Sequence, residues 1–230
     1  MKKGYFIVID GANGSGKATQ SKLLVDLLKK KKIPVLYFDF PRYYSSFFGK
    51  IFGRYLTGEF GTLETVSPYL ASILTAQDRN LAKDSMYAFL ERKKGLLVAN
   101  RYVSSNLALQ GANLKHEKEQ NAFFKWIDEL EYKVNGIPKE DLLIYLHVPI
   151  SYADRLIKRK EARKYINGKS HDIHEINQTY LKRAEKIYLS LAKKRGWTVI
   201  KCIEKGKLLS IDAIHEMILA VLREKKIITI

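Results

Sequence analysis

The stretch IDGANGSGKATQ, Ile9 to Gln20, holds Gly11, Gly16 and Lys17 at the spacing G-x-x-x-x-G-K. Glycines at these places let the backbone N–H groups of Gly11, Ala12, Asn13, Gly14, Ser15 and Gly16 turn inward as a nest for an anion. A helix starting there adds its dipole, and Lys17 reaches the outer phosphates of a nucleotide such as ATP. The pattern then asks for a serine or threonine as a Mg2+ ligand, and Ala18 supplies no oxygen. Thr19 carries the next hydroxyl, about 100° further round a helix, so it is set to meet a phosphate rather than to replace that ligand. Mg2+ at such sites keeps much of its water shell and takes nucleotide phosphates as its main ligands, so water can fill the position. No protein side chain is therefore expected to ligate the metal directly.

These residues need a scaffold, and the chain alternates in a way that supplies one. YFIVID (Tyr5 to Asp10), VLYFDF (Val35 to Phe40), GLLVAN (Gly95 to Asn100), LLIYLHV (Leu142 to Val148) and WTVIKCI (Trp197 to Ile203) are short apolar runs suited to strands buried on both faces. Helical patterns lie between them, among them Lys17 to Lys31 and a long stretch from about Ser67 with Pro68 in its first turn. Strand and helix in alternation predict an α/β fold, a parallel sheet with helices on both faces. Ligands of such sheets bind beyond the carboxyl ends of the strands. The segments to inspect are therefore Gly11 to Ala18, Pro41 to Tyr44, Arg101 to Gly111 and the residues from Ile150 onward.

Composition narrows the classes. The 230 residues, 46% apolar, suffice for one α/β domain over residues 1–230, and neither a repeat nor a low-complexity linker divides them. The apolar runs fall short of the roughly 20 residues of a membrane span, which predicts a chain of the cytoplasm with no membrane partner. Cys202 is the single cysteine, so no internal disulfide forms, and its setting predicts a small core residue of the last strand. A net charge of +17 admits a polyanionic partner, or a general lysine bias. The basic residues are spread through helices, and Lys29 to Lys32 close one, where cations complement the dipole. RLIKRKEARKYINGK, Arg155 to Lys169, has seven basic residues against Glu161, unlike a solvated helix with interleaved charges.

FIVIDGANGSGKATQSKLL together with ANRYVSSNLALQGA (Ala99 to Ala112), FPRYYSSFFGKIFGRYLTGEFG (Phe40 to Gly61) and SPYLASILTAQDRNLA resembles the thymidylate kinases, in the same order along the chain. The resemblance implies a three-layer P-loop kinase fold, with a five-stranded parallel sheet, helices on both faces and a basic lid at about 155–172. It implies transfer of the γ-phosphoryl of ATP to dTMP, with Mg2+ held mainly by phosphates and water, and a homodimer. On this pattern Lys17 and Arg101 act on the phosphates, Arg101 through its guanidinium fork, with Arg159 or Arg163 of the lid as the catalytic arginine. Arg42 would meet the acceptor phosphate, and Phe40 would stack on thymine or else be an ordinary core residue. Arg79 lies off the Leu70, Ile73, Leu74 and Leu81 stripe expected to face the core, which frees it for the base or phosphate of the monophosphate. Ser105, Asn106 and Gln110 would meet the thymine edge, and Glu175 the sugar.

Four positions depart from that pattern: Asn13 and Asn100 where aspartates are usual, Ala18 where a hydroxyl is, and Leu109 where an aromatic often stands. Asp10 is then the carboxylate expected beside the loop, for the Mg2+ water shell, the sugar, or simply the turn. Two other readings remain open at this level: a kinase of another nucleotide or of a nucleoside, and a catalytically weakened protein whose basic surface binds nucleic acid. The ordered substrate motifs favour the enzyme, so a nucleic-acid partner is not expected.

Overall fold

Along each central strand successive side chains enter opposite faces of the sheet, and both faces are apolar. Phe6, Val8, Leu97, Ala99, Leu143 and Tyr145 belong to one buried cluster, while Ile7, Ile9, Leu96, Val98, Leu142 and Ile144 belong to another. Alternation with a period of two therefore produces a sheet that must be covered twice. The computed structural model describes residues 4–92, 94–152 and 177–229.

The strands are β1 (Tyr5–Gly11), β2 (Val35–Asp39), β3 (Leu96–Asn100), β4 (Leu142–His147) and β5 (Thr198–Lys201). They form the expected five-stranded parallel sheet in the order β2-β3-β1-β4-β5. The register aligns Ile9 with Asn100 and Asn100 with Asp39, so the carboxyl ends of β1, β3 and β2 lie side by side. A short antiparallel hairpin, β6 (Ile203–Glu204) with β7 (Lys207–Leu208), follows the sheet.

The helices are α1 (Lys17–Lys30), α2 (Phe47–Leu56), α3 (Pro68–Asn80), α4 (Lys83–Arg92), α5 (Val103–Ser105), α6 (Glu117–Asp128), α7 (Gln178–Arg195) and α8 (Ile211–Glu224). α5 runs on into a π-helical turn, Asn106–Gln110, and α6 into another, Glu129–Val134. α1 buries Leu24, Val25 and Leu28 on the face of the sheet that α8 shares through Ile214, Ile218 and Leu222. Each such side chain contributes about 1.5–3 kcal/mol by leaving water. The other face is covered by α4, α6 and α7, through Met86, Leu90, Phe123, Ile127, Tyr188 and Leu191. α1 ends with Lys29 and Lys30 in its last turn, as its sequence predicts. Asn177 caps α7 by accepting from the Tyr180 N–H at 3.0 Å, and Gly196 ends it in the left-handed conformation at φ 70°.

Three expectations are corrected. The long helix from Ser67 divides at Leu81–Ala82 into α3 and α4. Cys202 is fully buried but lies one residue beyond β5, and its thiol, desolvated there, is pushed up to about 12. The leucine stripe of α3 is not its core face: Leu70 is 63% and Leu81 58% exposed. α3 buries Ala71, Ser72, Thr75, Ala76, Asp78 and Arg79 instead. Small residues let it approach closely, so Ala71 packs on Phe52, Tyr55 and Leu56 of α2 while the polar side chains meet the turn after α5. Among the described residues no helix is long and apolar enough to cross a membrane.

Candidate active site

The loop from Gly11 to Gly16 joins β1 to α1 as its glycines require. Gly14 and Gly16 have φ of 84° and 82°, a region costly to side chains, and Gly16 caps α1. At Gly11 the need is space, because a Cβ would stand 2.5 Å from Ser15 Oγ and 2.7 Å from the Leu146 carbonyl oxygen. Lys17 folds back over the loop and donates to the Ala12 carbonyl at 3.1 Å. Asn13 through Gln20 line a cleft of about 1100 Å³, whose other walls include Tyr37 to Ser45, Asn100, Arg101 and the apolar Leu208, Leu209, Ile211 and Ile214. Thr19 is exposed in that wall.

Arg101 follows β3 and stands where this cleft meets a smaller one of about 40 Å³, lining both. Its φ is 65°, a left-handed backbone that costs a side-chain-bearing residue about 1–2 kcal/mol. The guanidinium donates to Asn13 Oδ1 and, at 3.4 Å, to Ser105 Oγ. Asn13 thus ties the phosphate loop to Arg101 by a hydrogen bond in place of an ion pair.

The smaller cleft gathers several of the residues singled out by sequence: Phe40, Arg79, Arg101, Ser105, Asn106 and Gln110, with Asn13 and Leu109 beside them. Phe40 is buried between Phe38, stacked at 5.3 Å, and Tyr102, so it is a core side chain whose edge forms the wall of both clefts. Asn106 accepts from Thr75 Oγ1 at 2.7 Å and donates to the Ser72 carbonyl at 3.3 Å, while Gln110 accepts from Asn113 at 3.4 Å. Arg42 is held by Asp78, which accepts from its Nε at 3.0 Å and from its backbone N–H at 2.8 Å.

Arg79, which its place off the leucine stripe left for a cleft or for water, lines the smaller cleft and is only 2% exposed. Its Nε and one terminal nitrogen donate to Glu131 Oε1, from the π-helical turn after α6, and its guanidinium lies 5.8 Å over the Tyr102 ring. Burial pushes the Glu131 carboxyl above the usual glutamate value, with the Arg79 charge opposing. For Arg79 burial works the other way and is the largest single influence, but the Glu131 charge and hydrogen bond, joined by Tyr102 and Asp78, together outweigh it, so the guanidinium stays charged.

Asp10, read for the Mg2+ water shell, the sugar or the turn, is engaged inside the protein. It is fully buried, accepting from Ser104, from Ser105 at 2.9 Å, from Tyr188 at 3.3 Å and from the Gly11 N–H at 2.7 Å. The carboxylate that does face the large cleft is Asp39, at the end of β2, to which Asn100 donates at 2.6 Å. Sequence reasoning missed it, although it ends a strand just as Asn100 does. It missed Asp78 and Glu131 as well, which hold the two arginines. Arg159, Arg163, Glu175 and the expected lid at 155–172 lie outside the described residues. Among the described residues no group of three or more His, Cys, Asp and Glu side chains gathers as a metal site.

A family model described as thymidylate kinase matches residues 9–218. The thymidylate kinase of Mycobacterium tuberculosis is 30% identical over 191 residues, which cover 83% of this chain and 86% of that one. The thymidylate kinase of Plasmodium falciparum is 30% identical over 205 residues, 84% of this chain and 90% of that one. Among solved structures, the thymidylate kinase of Candida albicans superposes with a TM-score of 0.74 over 98% of this chain and 94% of that one, at 21% identity, a likeness of fold.

Proposed function

The chain belongs to the thymidylate kinase family, and from that premise we propose how its two clefts divide the work of that reaction. The reaction is transfer of the γ-phosphoryl of ATP to dTMP, giving dTDP and ADP. The acceptor phosphate oxygen forms the new P–O bond as the bond to ADP breaks. Such a transfer asks the protein chiefly to hold two anions in line and to stabilise charge spreading over the equatorial oxygens.

The observation that carries the assignment is the place of Arg101. One side chain lines both clefts, beside Lys17 of the phosphate loop in one and beside Arg79 and Asn106 in the other. ATP takes the large cleft, its phosphates on the loop and Lys17, its base towards the apolar Leu208, Leu209, Ile211 and Ile214. The dTMP phosphate takes Arg101 and Arg42, and its base takes the smaller cleft against Phe40, Arg79, Ser105, Asn106 and Gln110. That cleft is about 40 Å³, and in its wall Asn106 is hydrogen-bonded to Thr75 and to the Ser72 carbonyl. Asn106 then exchanges these internal partners for the base, whose N–H and carbonyl edge an amide can match. Arg159, Arg163 and Glu175 stay in this reading as lid arginines and a sugar contact.

Mg2+ supplies neutralisation of the donor phosphates when bound. The Asp39 carboxylate, held by the Asn100 amide at 2.6 Å, is exposed in the wall of the large cleft, which suits a hydrated cation there. Water-soluble anionic substrates support a setting in the cytoplasm. The exposed Leu70 and Leu81 on α3 support a homodimer through that helix. Release of ADP, measured across nucleosides and monophosphates, tests the function: turnover with dTMP is expected, and activity confined to unphosphorylated nucleosides would overturn it.

A further inference from the structure

Asp39 is the only carboxylate among the described residues that line the large cleft, whose charged walls are otherwise Lys17, Arg42 and Arg101. That is an unfavourable place for an anion if the cleft receives nothing but a polyphosphate, since like charges sharing one cleft repel. Asp39 is exposed there and makes no ion pair with a described residue. A negative group kept in a polyphosphate cleft makes physical sense when a cation comes between them.

The neighbouring strand points the same way. Asp39 and Asn100 are partners in the parallel register of β2 and β3, and Asn100 Nδ2 donates to Asp39 Oδ1 at 2.6 Å. That bond fixes the amide with its oxygen turned elsewhere, and Asn100 Oδ1 is left buried with no partner, on a residue 4% exposed that lines the cleft. A hydrated Mg2+ presents water O–H donors, and Mg2+ keeps several of its waters when bound to phosphates, so the exposed Asp39 carboxylate, which Asn100 holds at the cleft wall, can accept from them. Ala18 offers no ligand in the loop, and Asn13 is engaged with Arg101.

We propose that Asp39, on the strand next to the one where the family pattern has its aspartate, accepts from the water shell of the donor's divalent cation, with Asn100 Nδ2 holding the carboxylate in place. The carboxylate has moved one strand sideways, and the hydrogen bond between the two residues keeps the pair aligned. Asp39 is thus a positioning residue for the metal. The inference rests on the large cleft being the ATP site.

Mn2+ in place of Mg2+ makes this testable without turnover. The full chain is saturated with a non-hydrolysable ATP analogue, and Mn2+ is titrated by electron paramagnetic resonance. Asp39→Asn should weaken Mn2+ binding about tenfold or more, while binding of the analogue in chelator stays the same or tightens. The exchanged variant, Asp39→Asn with Asn100→Asp, keeps the hydrogen bond with donor and acceptor reversed and should regain most of the affinity. Unchanged Mn2+ affinity in Asp39→Asn would overturn the proposal, as would an exchanged variant as weak as Asp39→Asn. Absence of dTMP phosphorylation by the unaltered chain would overturn the functional reading instead, and the Mn2+ titration, which needs no acceptor, would still decide on Asp39.

Discussion

Glu131→Ala isolates the contact on which the smaller cleft depends. Glu131 is fully buried and Arg79 is 2% exposed, and the carboxylate takes two N–H groups of the guanidinium. Without it the hydrogen bonds left to Arg79 among the described residues are to Thr75 at 3.4 Å and the Tyr102 carbonyl at 3.5 Å, both at the edge of hydrogen-bonding range. Removing one partner of a buried pair leaves the other as an uncompensated charge, at a cost of about 3–5 kcal/mol. In a chain of this size each kcal/mol moves the melting temperature by about 2–4 °C, so a fall of about 6–20 °C is expected. The matched control replaces both partners, Glu131→Leu with Arg79→Met, and should recover most of that stability because no charge is then buried alone. KM for dTMP should rise in both variants, since Arg79 is either misplaced or gone. Thermal unfolding with steady-state kinetics reads the two effects separately. A Glu131→Ala protein melting within about 2 °C of the parent, less than 1 kcal/mol, would refute the claim that this pair holds the wall of the cleft.

Lys17→Ala and Arg101→Ala should each lower kcat by about 100-fold or more while leaving the melting temperature near that of the parent; near-normal rates in either would refute the assignment. Arg101 has φ of 65°, so Arg101→Gly should be more stable than Arg101→Ala by about 1 kcal/mol, though both are inactive. Equal melting points would mean that the backbone stores no strain there. In Gly11→Ala the new methyl meets Ser15 Oγ at 2.5 Å and the Leu146 carbonyl at 2.7 Å. It should force the phosphate loop outward at a cost of about 1–3 kcal/mol and weaken binding of an ATP analogue, read by calorimetry.

Where sequence reasoning succeeded, the signal was local. Five apolar runs ended at strands, and the rule that ligands sit beyond their carboxyl ends led to the phosphate loop and Arg101. It should have led to Asp39 too, but the second run was extended to Phe40, which hid the carboxylate inside a strand. The face of α3 was misread because leucines were taken to mark burial. Ala71, Ser72, Thr75 and Ala76 pack more closely than leucine allows, and Asp78 and Arg79 find their partners in Arg42 and Glu131. Glu131 lies 52 positions from Arg79, and no periodicity connects an isolated glutamate to a distant arginine. Asp10 looked available because it stands next to the loop, yet Ser104, Ser105 and Tyr188 enclose it, and Tyr188 comes from α7, 178 residues away.

The central claim is that this chain phosphorylates a thymidine monophosphate at a site joined by Arg101. The direct measurement is ADP release from ATP and Mg2+ with dTMP, run beside the other nucleoside monophosphates and thymidine itself, for the parent and for Arg101→Ala. The account predicts that dTMP gives the highest kcat/KM and that Arg101→Ala removes that turnover while the folded protein still binds an ATP analogue. Turnover with thymidine but not with dTMP, or an Arg101→Ala protein that phosphorylates dTMP at the parent's rate, would contradict it.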